Sequence, residues 1–329
     1  MNNTARKTII HTILFILATA CIALVLEYII PDDEHAKEIL QGLKEGATVV
    51  YFGDSTLAYS DKDDIDKRLL SEMVEENLNG QTIIAVHQGA FHLRVFEAYV
   101  SFIVIQDHKP KSIILPINLR SFGPQWDLRP GYQFTSEIYR LSPQRTQPKV
   151  LLDRIKKLSD DPQKREEEIT EWLEQPIFFN RTQIGVVNDF HYPLFGNEAQ
   201  LNEKISEKFT YNYLFALDKS HKGLASLKNI VHLTQQHNIT LVMYITPLNY
   251  QNGEKYVGDA FVPLIEHNVD IIKETVKSNR GTIYDFTFLL NSSEFSYDYI
   301  PDEHLNEAGK LHLAHAVALA LQNETSKKS

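Results

Sequence analysis

The sequence predicts an α/β fold, a doubly wound sandwich of about five parallel strands. Three observations predict it. Five short apolar runs alternate along the chain with stretches of helical spacing. Those runs are almost continuously apolar, as strands buried on both faces must be, instead of alternating apolar and polar. Gly, Pro, Asn and Asp punctuate their ends. At 329 residues, 43% hydrophobic and 23% charged, the chain has ample material for a large core.

The first element is an exception to this order. Residues 8–30 read TIIHTILFILATACIALVLEYII, with Glu27 as the one acid. A helix of that length spans roughly 35 Å, against about 30 Å for a bilayer core. Arg6 and Lys7 precede it and Asp32, Asp33 and Glu34 follow. By the positive-inside rule, residues 1–7 are a cytoplasmic tail, 8–30 a transmembrane signal anchor, and the rest is exported to the periplasm or exterior. A cleaved signal would have a shorter apolar core ending in small residues, whereas this one continues through Leu24, Val25 and Leu26. The bilayer is thus an expected partner of Thr8 to Ile30. Cys21, the only cysteine, then lies in lipid, which leaves no disulfide and no Cys-rich zinc site.

Residues 31–46 read as a charged, helical stalk. Strand 47–52 (ATVVYF) comes next, then a helix over 61–78 with Ile65, Leu69, Leu70 and Val74 on one side. Strand 82–86, helix 93–105 and strand 112–117 follow. After a long interruption the order resumes: helix 224–236, strand 239–245, helix 261–278, strand 282–286 and helix 306–321. Right-handed crossovers make this a flavodoxin-like topology, with any site beyond the carboxyl ends of the strands. The α/β domain is therefore 47–122 plus 219–322. Residues 123–218 form an inserted cap, too long for a structureless loop. It holds a charged helical stretch, 150–173, and the aromatics Phe178, Phe179, Phe190, His191, Tyr192 and Phe195. Trp126, Tyr132 and Phe134 read as the packing of the insertion, with a sugar-stacking platform as the alternative. Residues 323–329 are a polar tail.

A net charge of −10 disfavours a nucleic-acid partner. His312 and His315 stand at i and i+3 on the last helix without a convincing acid partner, so no metal and no cofactor are expected. The chemistry-bearing residues fall at strand ends. The first strand ends in Gly53-Asp54-Ser55, where glycine allows a sharp turn that presents the serine at the sheet edge. A serine hydroxyl needs a neighbouring base, and His304, just before the last helix, is the candidate. Asp302 is close enough in sequence to orient that imidazole; Asp298 or a backbone carbonyl could do so instead. Each motif alone is an ordinary turn or helix cap. Their joint placement on the first strand and last helix points to one shared site.

With these residues in place, the chain resembles the SGNH hydrolase superfamily, the GDSL-like esterases. Gly53-Asp54-Ser55 matches the Ser block, and Gly89 follows the second strand where that family has its Gly. Asn118, in Leu115-Pro116-Ile117-Asn118-Leu119-Arg120-Ser121, follows the third strand where it has its Asn, and Asp302 with His304 occupies the last block. The resemblance implies acyl transfer through an acyl-serine intermediate. Ser55 would be the nucleophile and His304 the base, with the amides of Ser55, Gly89 and Asn118 forming the oxyanion hole. There are departures: the family's Asp stands three residues before His, and the third block is Pro-x-Asn-x-Arg-Ser instead of Gly-x-Asn-Asp. The resemblance does not cover the insertion.

The anchor, the exported domain and the insertion are together similar to envelope-polymer O-acylation proteins. That implies an esterase or O-acyltransferase acting on acyl esters, acetyl first among them, of an envelope polysaccharide or another acylated small molecule. It also admits a membrane-bound acyl-exporting partner. Arg120, Thr246 and Asn249 are the candidate substrate contacts. The alternative is an inactive SGNH-like protein that binds polysaccharide or scaffolds a synthesis complex.

Overall fold

Strands β1 (Val49–Gly53), β2 (Ile83–His87), β3 (Ser112–Ile117), β6 (Thr240–Ile245) and β7 (Ile283–Asp285) form one parallel sheet in the order β2-β1-β3-β6-β7. β4 (Pro176–Phe179) and β5 (Thr182–Val186) form a separate antiparallel hairpin. The computed structural model describes residues 3–29, 33–78, 80–143, 162–186, 198–297, 301 and 303–327.

The two faces of the sheet bury different cores, because successive side chains on a strand point to opposite sides. Val50, Phe52, Ile113, Leu115, Ile117, Met243 and Ile245 face one cluster, packed by helices Glu34–Lys44, Leu93–Val104, Lys222–Gln236 and Phe261–Ser278. Val49, Tyr51, Ile114, Val242 and Tyr244 face the other, covered by helices Leu70–Glu76 and Glu307–Ser326. Full burial of each large apolar side chain is worth about 1.5–3 kcal/mol, so covering both faces is what holds the sandwich together. The doubly wound α/β class read from the sequence is the class observed.

Three elements differ from expectation. The helix expected over 61–78 begins only at Leu70. Before it, Asp side chains capture backbone N–H groups: Asp61 N donates to Asp64, Asp63 N to Asp61 and Arg68 N to Asp66, at 2.9–3.0 Å. Such local bonds compete with helix formation, and Ile65 ends up 93% exposed. The stalk does not stand free. Asp33 caps helix Glu34–Lys44 by accepting from Ala36 N at 3.0 Å and also accepts from the Tyr99 hydroxyl at 2.9 Å, while Ala36, Ile39 and Leu43 are buried. The insertion, in turn, is built into the core. Its helix Glu198–Tyr213 sends Ile205, Phe209 and Tyr213 into the larger cluster, with Phe209 and Tyr213 against Phe261 at 5.8 and 6.0 Å between ring centres. Trp126 and Phe134 are buried, as packing residues.

The charged stretch expected at 150–173 is helical over Pro162–Glu174, and residues 150–161 lie outside the described residues, as do Phe190, His191, Tyr192 and Phe195. A helix does run over Asn3–Ile29, and Ile9, Ile10, Ile13, Leu14, Phe15, Ile16 and Leu17 are exposed on it. Side chains are described there only for Lys7 and residues 9–21, so the expected anchor over 8–30 extends past them. Among the described residues, no helix is long and apolar enough to cross a membrane.

Candidate active site

β1 delivers its last residue, Gly53, to the carboxyl edge of the sheet, and the chain turns into the short helix Ser55–Ala58. A Cβ on Gly53 would lie 2.4 Å from the Leu57 Cβ, so only glycine lets this helix fold back over the strand end. Asp54 caps the helix, its Oδ1 accepting from Thr56 N at 2.8 Å. Ser55 is therefore the first helical residue and is partly exposed.

His304 arrives from the other end of the chain, on the loop before helix Glu307–Ser326. Ser296 N donates to the His304 carbonyl at 2.9 Å, and Phe295 and Leu305 form a β-bridge across the loop. The imidazole Nε2 stands 3.2 Å from Ser55 Oγ. Tyr59 stacks on the imidazole, with ring centres 4.1 Å apart and planes 5° from parallel. The Tyr59 hydroxyl is anchored in turn to Tyr297 Oη at 2.9 Å and Asp61 Oδ2 at 3.2 Å. The plane of the imidazole is thus fixed from its face. Asp302 and Asp298, the two candidate acids, lie outside the described residues.

Behind the pair lies a buried polar network. Asn118 follows β3, capping the turn Leu119–Phe122, and its Oδ1 accepts from Arg120 N at 3.0 Å. Its Nδ2 donates to Asp54 Oδ2 at 2.9 Å and to Glu303 Oε2 at 3.3 Å. The same Glu303 oxygen takes the Arg120 guanidinium at 2.5 Å, and its other oxygen accepts from the Tyr213 hydroxyl. The Pro301 carbonyl lies 3.4 Å from the same Tyr213 Oη. Burial pushes the Glu303 carboxyl up to about 7; Arg120 and Asn118 pull it down and the neighbouring Asp54 adds to the rise.

The expected site residues separate into two groups. Ser55, His304 and Asn118 converge, joined by Asp54. Gly89 follows β2 at the same sheet edge, in a turn closed by Phe91 N to Gln88 O at 3.1 Å, with Ala90 in the left-handed region. Trp126 Nε1 donates to the Ala90 carbonyl at 3.2 Å and braces this turn from the insertion.

The three expected substrate contacts point elsewhere. Arg120 is nearly buried, ion-paired with Glu303 and set over the Trp126 ring at 5.8 Å. Thr246 is buried and donates to Ile117 O at 3.4 Å. Asn249 caps helix Tyr250–Val257 and accepts from Ser292 Oγ at 2.7 Å. Each is held by an internal tie: Arg120 to Glu303, Thr246 to the end of β3 and Asn249 to a helix start.

Sequence reasoning missed Tyr59, Tyr213 and Glu303. Tyr59 and Glu303 lie four residues after Ser55 and one before His304, but only the fold reveals what they touch. A glutamate in an Asp-Glu-His run reads by default as solvated surface.

No protein-family model matches the chain, and no curated protein matches it. Among solved structures it is similar to Axe2, an acetylxylan esterase from Geobacillus stearothermophilus, at 11% identity and a TM-score of 0.40, over 84% of this chain and 94% of that one. It is also similar to LAE5, described as an alpha/beta hydrolase enzyme from the metagenome of Lake Arreo, Spain, at 14% identity and a TM-score of 0.42, over 84% of this chain and 95% of that one. Likeness at that level carries no weight on function, which is read from the geometry around Ser55.

Proposed function

We propose that this chain is a serine-dependent acyl esterase or O-acyltransferase. One observation carries the reading: Ser55 Oγ and His304 Nε2, both partly exposed, stand 3.2 Å apart at the carboxyl edge of a parallel sheet. That is within hydrogen-bond reach for proton transfer.

In the first half-reaction His304 Nε2 takes the Ser55 proton while Oγ attacks the acyl carbonyl. The carbonyl π electrons move to oxygen. The Ser55 N–H, at a helix start where no intrahelical carbonyl can meet it, is a ready oxyanion donor. The Gly89 N–H and the Asn118 amide are its proposed companions. One such donor is typically worth ~10²–10³ in rate. As the tetrahedral adduct collapses, the alcohol leaves with the proton held on His304, and Ser55 stays acylated. Water, or an acceptor hydroxyl in a transferase, then gives a proton to His304 and attacks the ester carbonyl. As this second adduct collapses, the Ser55 Oγ–acyl bond breaks, Oγ takes the proton back from His304, and the acid or the new ester leaves. Asp302 or Asp298 would orient the imidazole.

The substrate class we propose is an acetyl or other acyl ester on an envelope polysaccharide, met outside the cytoplasm. The apolar helix supports that placement, since its exposed Ile, Leu and Phe side chains suit lipid better than water. One observation favours a non-catalytic binding or scaffold protein: Asn118 donates to Asp54 and to Glu303, not into open space.

Fluorophosphonate labelling of the full-length chain in detergent separates the two. Wild type should label at Ser55 and hydrolyse an aryl acetate, and Ser55→Ala should do neither. Folded wild type that takes no label would leave the scaffold reading standing alone.

A further inference from the structure

We propose that Glu303 is a positioning residue of this site, coupling the inserted segment, through Tyr213, to the Asn118 amide and the Asp54–Ser55 turn. The inference rests on the serine–histidine reading and adds to it a side chain that touches neither reacting atom.

Three side chains from two segments far apart in sequence meet on this one carboxyl group. Tyr213 comes from the last helix of the insertion, and Asn118 and Arg120 from the capped turn that follows β3. Asp54, beside Ser55, is reached through Asn118. Glu303 is also the immediate neighbour of His304, so a shift of its carboxyl moves the loop that carries the base. Its backbone sits at φ 53°, a left-handed conformation that a glutamate adopts only where its surroundings impose it. The carboxyl is 5% exposed as a residue, too buried to serve as a solvated surface charge.

The groups facing it are Arg120, Asp54, Tyr213 and Asn118, with His304 next along the chain. Burial and Asp54 oppose the carboxylate, while Arg120 and Asn118 favour it; the Tyr213 hydroxyl adds a further hydrogen bond to it. Its charge is therefore poised within the working range of a histidine base. When Glu303 is ionised, the Arg120 pair holds and Asn118 is aimed by two carboxylates. When it is protonated, that pair loses its charge and the aim of Asn118 loosens. Two ionisations then govern the acid limb of the reaction, one at His304 and one at Glu303.

The experiment is the rate of fluorophosphonate labelling at Ser55 in the full-length chain in detergent, from about pH 5 to about pH 9. Wild type, Glu303→Gln and Tyr213→Phe are compared, with thermal unfolding as the check on folding. Glu303→Gln keeps the size but loses the charge. It should label roughly ten- to a hundredfold more slowly at neutral pH, the effect of losing a hydrogen-bonded ion pair. Its acid limb should also follow one ionisation where wild type follows two.

Tyr213→Phe keeps the ring against Phe209 and Phe261 and removes only the hydroxyl. With one donor fewer the carboxylate is less favoured, so the acid limb should move to higher pH. A purely structural role would lower the amount of folded protein and leave the limb unmoved. If Glu303→Gln does not fold, the limb of Tyr213→Phe decides. Wild type that labels, with variants matching its rate and limb, overturns the role of Glu303 alone. Wild type that does not label overturns the serine reading, and this inference with it.

Discussion

Replacing Lys310 by Met tests how the two halves of the site are held together. Lys310 lies in the first turns of the helix after His304, and Asp64 lies in the loop after the Ser55 helix. Their charges meet at 2.9 Å with side chains 1% and 3% exposed. At an effective dielectric of about 20, that separation gives an attraction of roughly 6 kcal/mol before desolvation. Most of this offsets the cost of burying two ions, so the informative quantity is the cost of removing one partner, about 3–5 kcal/mol.

The structure places the loss toward the lower end. Asp64 keeps two backbone donors, Asp61 N at 2.9 Å and Glu307 N at 2.9 Å, which go on solvating the stranded carboxylate. We therefore expect Lys310→Met to cost about 3 kcal/mol, read as the shift in urea midpoint at constant slope. The double variant Lys310→Met with Asp64→Asn should recover part of it, because the unpaired charge is gone. Labelling at Ser55 should slow as well, since the Ser and His segments are tied through this pair. A single-variant loss under about 1 kcal/mol, or a cycle with no coupling, would refute the clamp.

Two further outcomes follow from the same geometry. Tyr59→Ala removes the ring stacked on His304 and should lower the labelling rate about tenfold, whereas Tyr59→Phe, which keeps the ring, should cost much less; equal rates for the two would show that the stack does not orient the base. The Glu303 carboxyl, raised by burial from 4.5 to about 7, binds its proton more tightly folded than unfolded. Its contribution to stability is thus complete below about pH 4.5 and is lost as pH rises through about 7, a change of roughly 3 kcal/mol. Urea midpoints of wild type against Glu303→Gln across that window should show this slope in the difference, and a flat difference would place the carboxyl at its ordinary value.

Much of the architecture was legible because it depends on patterns local to the chain. Five short apolar runs dictated a parallel sheet with helices on both sides, and its three central strands are the buried ones. Gly53, Ser55 and His304 could be singled out because strand ends are where such sheets put chemistry. The 61–69 segment was misread because its Ile65 and Leu69 keep helical spacing. Only the geometry shows Asp61, Asp64 and Asp66 intercepting the backbone.

The sequence by itself determined the sheet, the apolar amino-terminal helix and the residues able to act as nucleophile and base. Tertiary structure alone decided which polar groups surround them. It gave Arg120, Thr246 and Asn249 their internal bonds, and brought Tyr59, Tyr213 and Glu303 to the site. The reason is physical. Strand and helix patterns are fixed by the burial of neighbouring side chains, whereas a buried carboxyl is defined by partners that arrive from distant segments, and no local spacing encodes that meeting.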